Sequence, residues 1–104
     1  MCIEDYIPFG RDNAVTREYL KRVTELDDRT IRDEIKKART KKYIAILNMQ
    51  DGKGYYRPDE NERADVERWL RQERHRMKEI RDGMSGAIAY LNKIDGQIEL
   101  PNIP

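Results

Sequence analysis

The spacing of apolar residues changes character several times along this chain. Tyr19, Leu20 and Val23 share one helical face, and Thr16 precedes them as a residue whose hydroxyl can cap free backbone amides. This predicts a first helix from Thr16 to about Val23. Glu25-Leu26 then forms a turn, and Asp27 is a good N-cap for a second helix to about Lys41, on which Ile31, Ile35 and Ala38 recur at intervals of four and three. Leu26 can close the corner between the two apolar faces. Next, Tyr43-Ile44-Ala45-Ile46-Leu47 is rich in residues that suit a strand. The polar turn Asn48 to Gly54 follows, and Tyr55-Tyr56-Arg57 returns until Pro58 ends the ladder. Gly52 and Gly54, on either side of Lys53, supply the positive φ angles of a tight hairpin. At the start, Tyr6-Ile7-Pro8-Phe9-Gly10 is expected to be an extended arm or short edge strand ending in a turn, because Pro8 disfavours helix in the residue before it.

From Asp59 the pattern becomes one long helix. Val66, Leu70, Glu73, Met77, Ile80, Met84, Ala87, Leu91 and Ile94 alternate intervals of four and three, a heptad seam interrupted only by Glu73. Such a seam suits a coiled-coil homodimer, with Leu70, Met77, Ile80, Met84, Ala87 and Leu91 at the interface. The other reading has Val66, Trp69 and Leu70 cover the preceding core, the helix break at Gly83, and the segment from Ser85 fold back. Glycines 83 and 86 each cost roughly 1 kcal/mol in a continuous helix. The chain therefore divides into a helix-and-hairpin unit over residues 1–58, a long helix over 59–95, and a tail over 96–104. The fold class is mainly α with a small β-hairpin.

Composition limits what this architecture can be. At 104 residues there is room for one modest core. Charged residues make up 39% of the chain, yet the regular aliphatic spacing is not that of a disordered polyampholyte. Cys2 is alone and can form no internal disulfide, no apolar run approaches the roughly 18 residues of a spanning helix, and Met1-Cys2-Ile3-Glu4-Asp5 lacks the features of a signal peptide. A protein of the reducing cytoplasm, away from membranes, is the expectation.

Net charge is only +1, so its distribution carries more information than its total. Between Arg29 and Lys42 seven basic residues stand against two acidic ones, Asp33 and Glu34. Two short helices joined by a tight turn form a helix-turn-helix unit, whose second helix can enter a major groove, and a hairpin after it makes the unit a winged helix. With Ile31, Ile35 and Ala38 turned inward at about 100° per residue, Arg29, Asp33, Lys36 and Thr40 lie opposite, flanked by Arg32 and Lys37. Arg29, Arg32, Asp33 and Lys36 are the base-reading candidates: arginine can pair bidentately with guanine, and a carboxylate can accept from cytosine. Asp33 could instead only orient Arg29 through an i, i+4 pair. Lys37 and the hairpin's Lys53 suit phosphate contacts. Tyr55 and Tyr56 point to opposite faces, one packing on the helices and the other, taken as Tyr55, facing solvent or sugar-phosphate.

Several ordered segments carry a resemblance: Ile7-Pro8-Phe9-Gly10, Asn13-Ala14-Val15-Thr16-Arg17, Asp28-Arg29-Thr30-Ile31-Arg32, Ala38-Arg39 and Gly54-Tyr55-Tyr56-Arg57-Pro58. Over residues 7–58 the chain resembles the small winged-helix proteins of prophage-like regions in Gram-positive bacteria. The resemblance implies DNA binding, with the helix bearing Arg29 and Arg32 as recognition helix and the Gly54-Tyr55-Tyr56 hairpin as wing. Two departures stand out: Glu25 where that turn usually has Gly, and Lys41-Lys42 where a Gly often ends the recognition helix.

Catalysis finds little support. The single histidine, His75, lies among Arg74, Arg76 and Lys78 with no second histidine or further cysteine to complete a metal site or a nucleophile-base pair. Asp59, Glu60, Glu62, Asp65 and Glu67 lie at a helix start, where carboxylates favour the dipole. The hairpin turn lacks the GxxxxGK[ST] pattern of a phosphate loop. Neither an enzyme, a cofactor, a metal nor a small-molecule substrate is expected. The expected function is sequence-specific binding of double-stranded DNA, as a phage-type transcriptional regulator or a replication or excision accessory factor. The alternative, favoured by the near-neutral charge, is a protein-interaction adaptor that uses the same fold and heptad helix for assembly.

Overall fold

Local chemistry sets both helix starts. Thr16 Oγ1 accepts from the Tyr19 N–H at 3.1 Å and Asp27 Oδ1 from the Thr30 N–H at 2.7 Å, each satisfying an amide that a first helical turn leaves unpaired. In the computed structural model, which describes residues 2–95, α1 spans Arg17–Thr24 and α2 spans Asp28–Lys41. Both agree with the sequence to within about a residue. Glu25 takes the left-handed conformation at φ 58°, and its N–H donates to the Lys21 carbonyl. The departure from Gly at this turn is thus accommodated with a non-glycine residue in an unfavourable backbone region.

The hairpin is shorter than expected. Strand β1 is Leu47–Asn48 and β2 is Tyr55–Tyr56, antiparallel, with Leu47 opposite Tyr56 and Asn48 opposite Tyr55. The strand foreseen over residues 43–47 forms only at Leu47, because its first residues close off the end of α2. Tyr43 is left-handed at φ 56°, and the Ile44 N–H donates back to the Ala38 carbonyl at 3.0 Å. The Ile46 carbonyl is taken by Arg39, from Nε at 3.0 Å and Nη2 at 2.7 Å. On its other side β2 gains partners from the N-terminal segment: Val15 and Tyr55 exchange two backbone hydrogen bonds, and Phe9 bridges Arg57 in parallel. A Cβ on Gly54 would overlap the Val15 carbonyl, and φ there is +99°, so glycine is what lets these segments meet.

The short edge expected over residues 6–10 forms: Ile7 is extended, Phe9 bridges Arg57, and Gly10, at φ +94°, turns the chain. Ile3–Tyr6 and Arg11–Asn13 are short 3-10 turns, joined by a segment in which only Phe9 bridges. Ile3 and Ile7 enter the core with Leu20, Ile31, Ile35, Ala38 and Ile46, against which Val15, Leu26, Ile44 and Tyr55 also pack. Each fully buried aliphatic side chain favours folding by roughly 1.5–3 kcal/mol over its exposed state. Glu4, also buried, is matched by Lys42, whose Nζ lies 2.9 Å from Oε2.

Helix α3 runs over Arg63–Gly83, starting four residues after the expected point. Residues 59–62 form its entry turn instead. Asp59 N–H donates to Glu62 Oε1, Asn61 N–H to Asp59 Oδ1, and Glu62 N–H to the Asp59 carbonyl. Helix α4 spans Ser85–Asp95. The chain divides into two compact units, Met1–Trp69 and Leu70–Pro104, with the division inside α3. The early part of α3 belongs to the first unit because Glu62 Oε2 accepts from the Arg11 N–H, Asp65 accepts from the Tyr56 hydroxyl, and Trp69 lies under Arg39. In the second unit α3 ends at Gly83, the break the sequence allowed, and α4 starts two residues later; Met84 N–H donates to the Ile80 carbonyl and Ile88 N–H to the Met84 carbonyl, so the two make one long helix bent at this point. None of its described residues is buried. The expected tail, 96–104, lies outside the described residues. The result is a mostly helical fold with a small two-stranded sheet, and no described helix is long and apolar enough to cross a membrane.

Candidate nucleic-acid interface

Helix α2 buries Ile31, Ile35 and Ala38 and turns Arg29, Arg32, Asp33, Lys36, Lys37, Thr40 and Lys41 to solvent. Inside and outside faces thus fall where the helical period places them. Among the described residues, the side chains of Arg29, Asp33 and Lys36 make no ion pair or hydrogen bond, so the Arg29–Asp33 pair that their spacing allows does not form. Arg32 is held differently: its Nη2 lies 3.1 Å from Asp28 Oδ2 while the side chain remains 59% exposed. Lys37 reaches Glu34 Oε1 at 3.5 Å, a loose contact at the surface.

Two of the seven basic residues serve the fold. Arg39 is half-buried, hydrogen-bonds the Ile46 carbonyl and lies 5.1 Å above the Trp69 ring. Lys42 is bound to Glu4, and its hydrogen bond holds the Glu4 carboxyl below the ordinary range while raising its own pKa. Neither is available to an anionic partner without breaking a contact across the chain. The outward basic set is accordingly Arg29, Arg32, Lys36, Lys37 and Lys41.

Asp28 links this face to α1. Its Oδ1 lies 2.7 Å from Arg17 Nε, its Oδ2 faces Arg32, and both of its arginine partners lie on different helices. Arg17 also lines a cleft of about 260 Å³ between the start of α1 and the hairpin turn, together with Thr16, Gln50, Gly54 and Tyr55. Sequence spacing could not reveal this connection, because Arg17 and Asp28 meet only once the turn at Glu25 has brought the two helix starts together.

The hairpin residues are placed unequally. Lys53 is exposed at the turn, where its N–H donates to Asp51 Oδ1; that hydrogen bond and the Arg11 guanidinium hold the Asp51 carboxyl below its usual range. Tyr56 is buried and its hydroxyl donates to Asp65 Oδ2 at 2.8 Å; burial, followed by the carboxylate, pushes the phenol well above its ordinary pKa. Tyr55 is half-buried against the core, which corrects the expectation that it faces solvent freely. Tyr43, by contrast, does face solvent, 88% exposed directly after Lys41-Lys42. Reading Tyr43 as the start of a strand hid it; the signal available was an aromatic directly after the basic run where a helix-ending glycine was missing.

On the second unit, Ile80 is 62% exposed and Leu70, Tyr90, Leu91 and Ile94 are exposed with it, while Met77 and Met84 are half-buried and Ala87 is open. His75 is exposed, 3.7 Å from Glu79. Among the described residues no group of three or more His, Cys, Asp or Glu side chains could hold a metal ion. No family model matches the chain, and no curated protein or solved structure matches it either.

Proposed function

We propose that this protein is a sequence-specific double-stranded DNA binder of the winged helix-turn-helix type, with α2 as recognition helix and the β1–β2 hairpin as wing. The observation that carries the reading is the outward face of α2. Arg29, Arg32, Asp33 and Lys36 stand exposed on a helix anchored along its opposite face and capped by Asp27. Such a helix can present its first turns to base edges in a major groove, while Lys37, Lys41 and Lys53 meet phosphates. Exposed Tyr43 extends the same basic segment and suits a sugar or base-edge contact. The resemblance over residues 7–58 agrees with this assignment and points to a phage-type regulator or a replication or excision accessory factor.

Dimerisation belongs to the same proposal. A stripe containing Leu70, Met77, Ile80, Met84, Ala87 and Leu91 runs along a segment with no buried residue and with helical bonding through Met84. A second copy covering that stripe would give a homodimer with two recognition helices for two half-sites. The second reading, a protein-interaction adaptor, is favoured by the exposed Tyr90 and Ile94 and by the commitment of Arg39 and Lys42 to the fold.

Selection from a randomised duplex pool at near-physiological salt tests the proposal, with an Arg29→Ala/Arg32→Ala variant in parallel. Enrichment of an inverted repeat by the wild type, weakened about tenfold or more per lost guanine contact in the variant, is expected. Equal and unspecific retention by both proteins would overturn DNA reading in favour of the adaptor. Enrichment of a single half-site would retain DNA reading and remove the two-fold dimer.

A further inference from the structure

We infer that Asp28 is a specificity-determining residue of the proposed DNA interface, acting by positioning Arg32 and by withholding Arg17 and Arg32 from unselective phosphate binding. The inference rests on the DNA-binding reading and deepens it. One carboxylate serves two guanidiniums: Oδ1 lies 2.7 Å from Arg17 Nε and Oδ2 lies 3.1 Å from Arg32 Nη2. Asp28 is the first residue of α2 and Arg17 the first of α1, while Arg32 is one turn further along α2. The clamp therefore joins both helix starts at the point where a recognition helix approaches bases.

Its chemistry has two effects. A guanidinium has five N–H donors in a rigid fork, so an ion pair at Nη2 leaves donors for a base edge while biasing the side chain toward Asp28 before DNA arrives. Guanine offers two acceptors in one plane and rewards that fixed orientation. A backbone phosphate makes no such demand, and near this site it meets a carboxylate already occupying both arginines. Asp28 thus weakens binding to any sequence and strengthens the contrast between sequences. Asp27, its neighbour, is occupied as the cap of α2, so the two adjacent carboxylates have separate tasks.

The test measures affinity against salt concentration on two duplexes, one recovered by selection from the randomised pool and one scrambled version of it. Wild type, Asp28→Asn, Asp28→Glu and Arg17→Gln are compared, and each is shown to melt cooperatively. For Asp28→Asn, binding to the scrambled duplex is expected to tighten several-fold. The slope of log affinity against log salt should steepen by about one unit, the mark of one further phosphate contact. Preference for the selected duplex should fall about tenfold, the size of one lost bidentate discrimination. Asp28→Glu should restore most of that preference. Arg17→Gln should keep the preference, because Asp28 still holds Arg32. A wild type that prefers the selected duplex beside an Asp28→Asn variant with unchanged slope and preference would overturn the role of Asp28 and leave DNA reading intact. A wild type that binds neither duplex would overturn both.

Discussion

At Glu25 the backbone is left-handed in a residue with a Cβ, and the side chain is exposed. That conformation costs about 1–2 kcal/mol outside glycine, partly offset in a Gly variant by the greater freedom of its unfolded chain. Glu25→Gly is therefore expected to raise stability by about 0.5–1 kcal/mol, seen as a higher urea midpoint at unchanged slope. A midpoint equal to or below that of the wild type would show that the turn carries no such strain. Residues of this kind were legible in the sequence where their partners are near. Thr16 and Asp27 cap amides three residues away, so their roles follow from local order. Arg39 and Lys42 read as surface charge because Ile46, Trp69 and Glu4 reach them only through the folded chain. The same holds for Asp28, whose i, i+4 relation to Arg32 is visible in sequence but whose contact with Arg17 is not.

At the scale of elements, the hairpin depends on one close approach. Gly54→Ala should cost about 3 kcal/mol or more, combining a positive φ with a Cβ driven into Val15, whereas Gly52→Ala should cost about 1 kcal/mol because only its φ of +80° is unsuitable. Thermal unfolding of the two variants separates these cases, and equal losses would contradict the close contact. Helix periodicity in α1 and α2 was legible because burial follows their 3.6-residue repeat. The strand at Tyr43 was not, since β-branched and aromatic content records burial rather than a ladder, and Ile44 and Ile46 are drawn inward from irregular chain. In the first ten residues Pro8 made the short edge at Phe9 and the turn at Gly10 legible, whereas the burial of Ile3 and Ile7 depends on helices far along the chain and was not.

For the whole molecule, acid is the sensitive direction. Glu4 is lowered from 4.5 chiefly by the Lys42 hydrogen bond, and Asp27 and Asp51 are lowered from 3.8 by Thr30 and by the Lys53 amide, respectively. A depressed folded pKa contributes stability that is complete above the unfolded value and disappears as pH falls through the folded one. Urea midpoints should therefore be flat above about pH 5 and decline below it. Glu4→Gln should start lower at neutral pH and decline less, because the pair with Lys42 is already gone. Parallel declines for the two proteins would assign the acid sensitivity elsewhere.

The reciprocal bonds between Val15 and Tyr55, with Phe9 against Arg57, also impose an order in time. A ribosome adding about 5–20 residues per second needs roughly two to eight seconds to pass from the first of these segments to the second. Throughout that interval Ile3 and Ile7 have been made but the β2 strand that completes their surroundings has not. Residues 9–15 therefore cannot complete their backbone pairing before Tyr55 and Arg57 have been made.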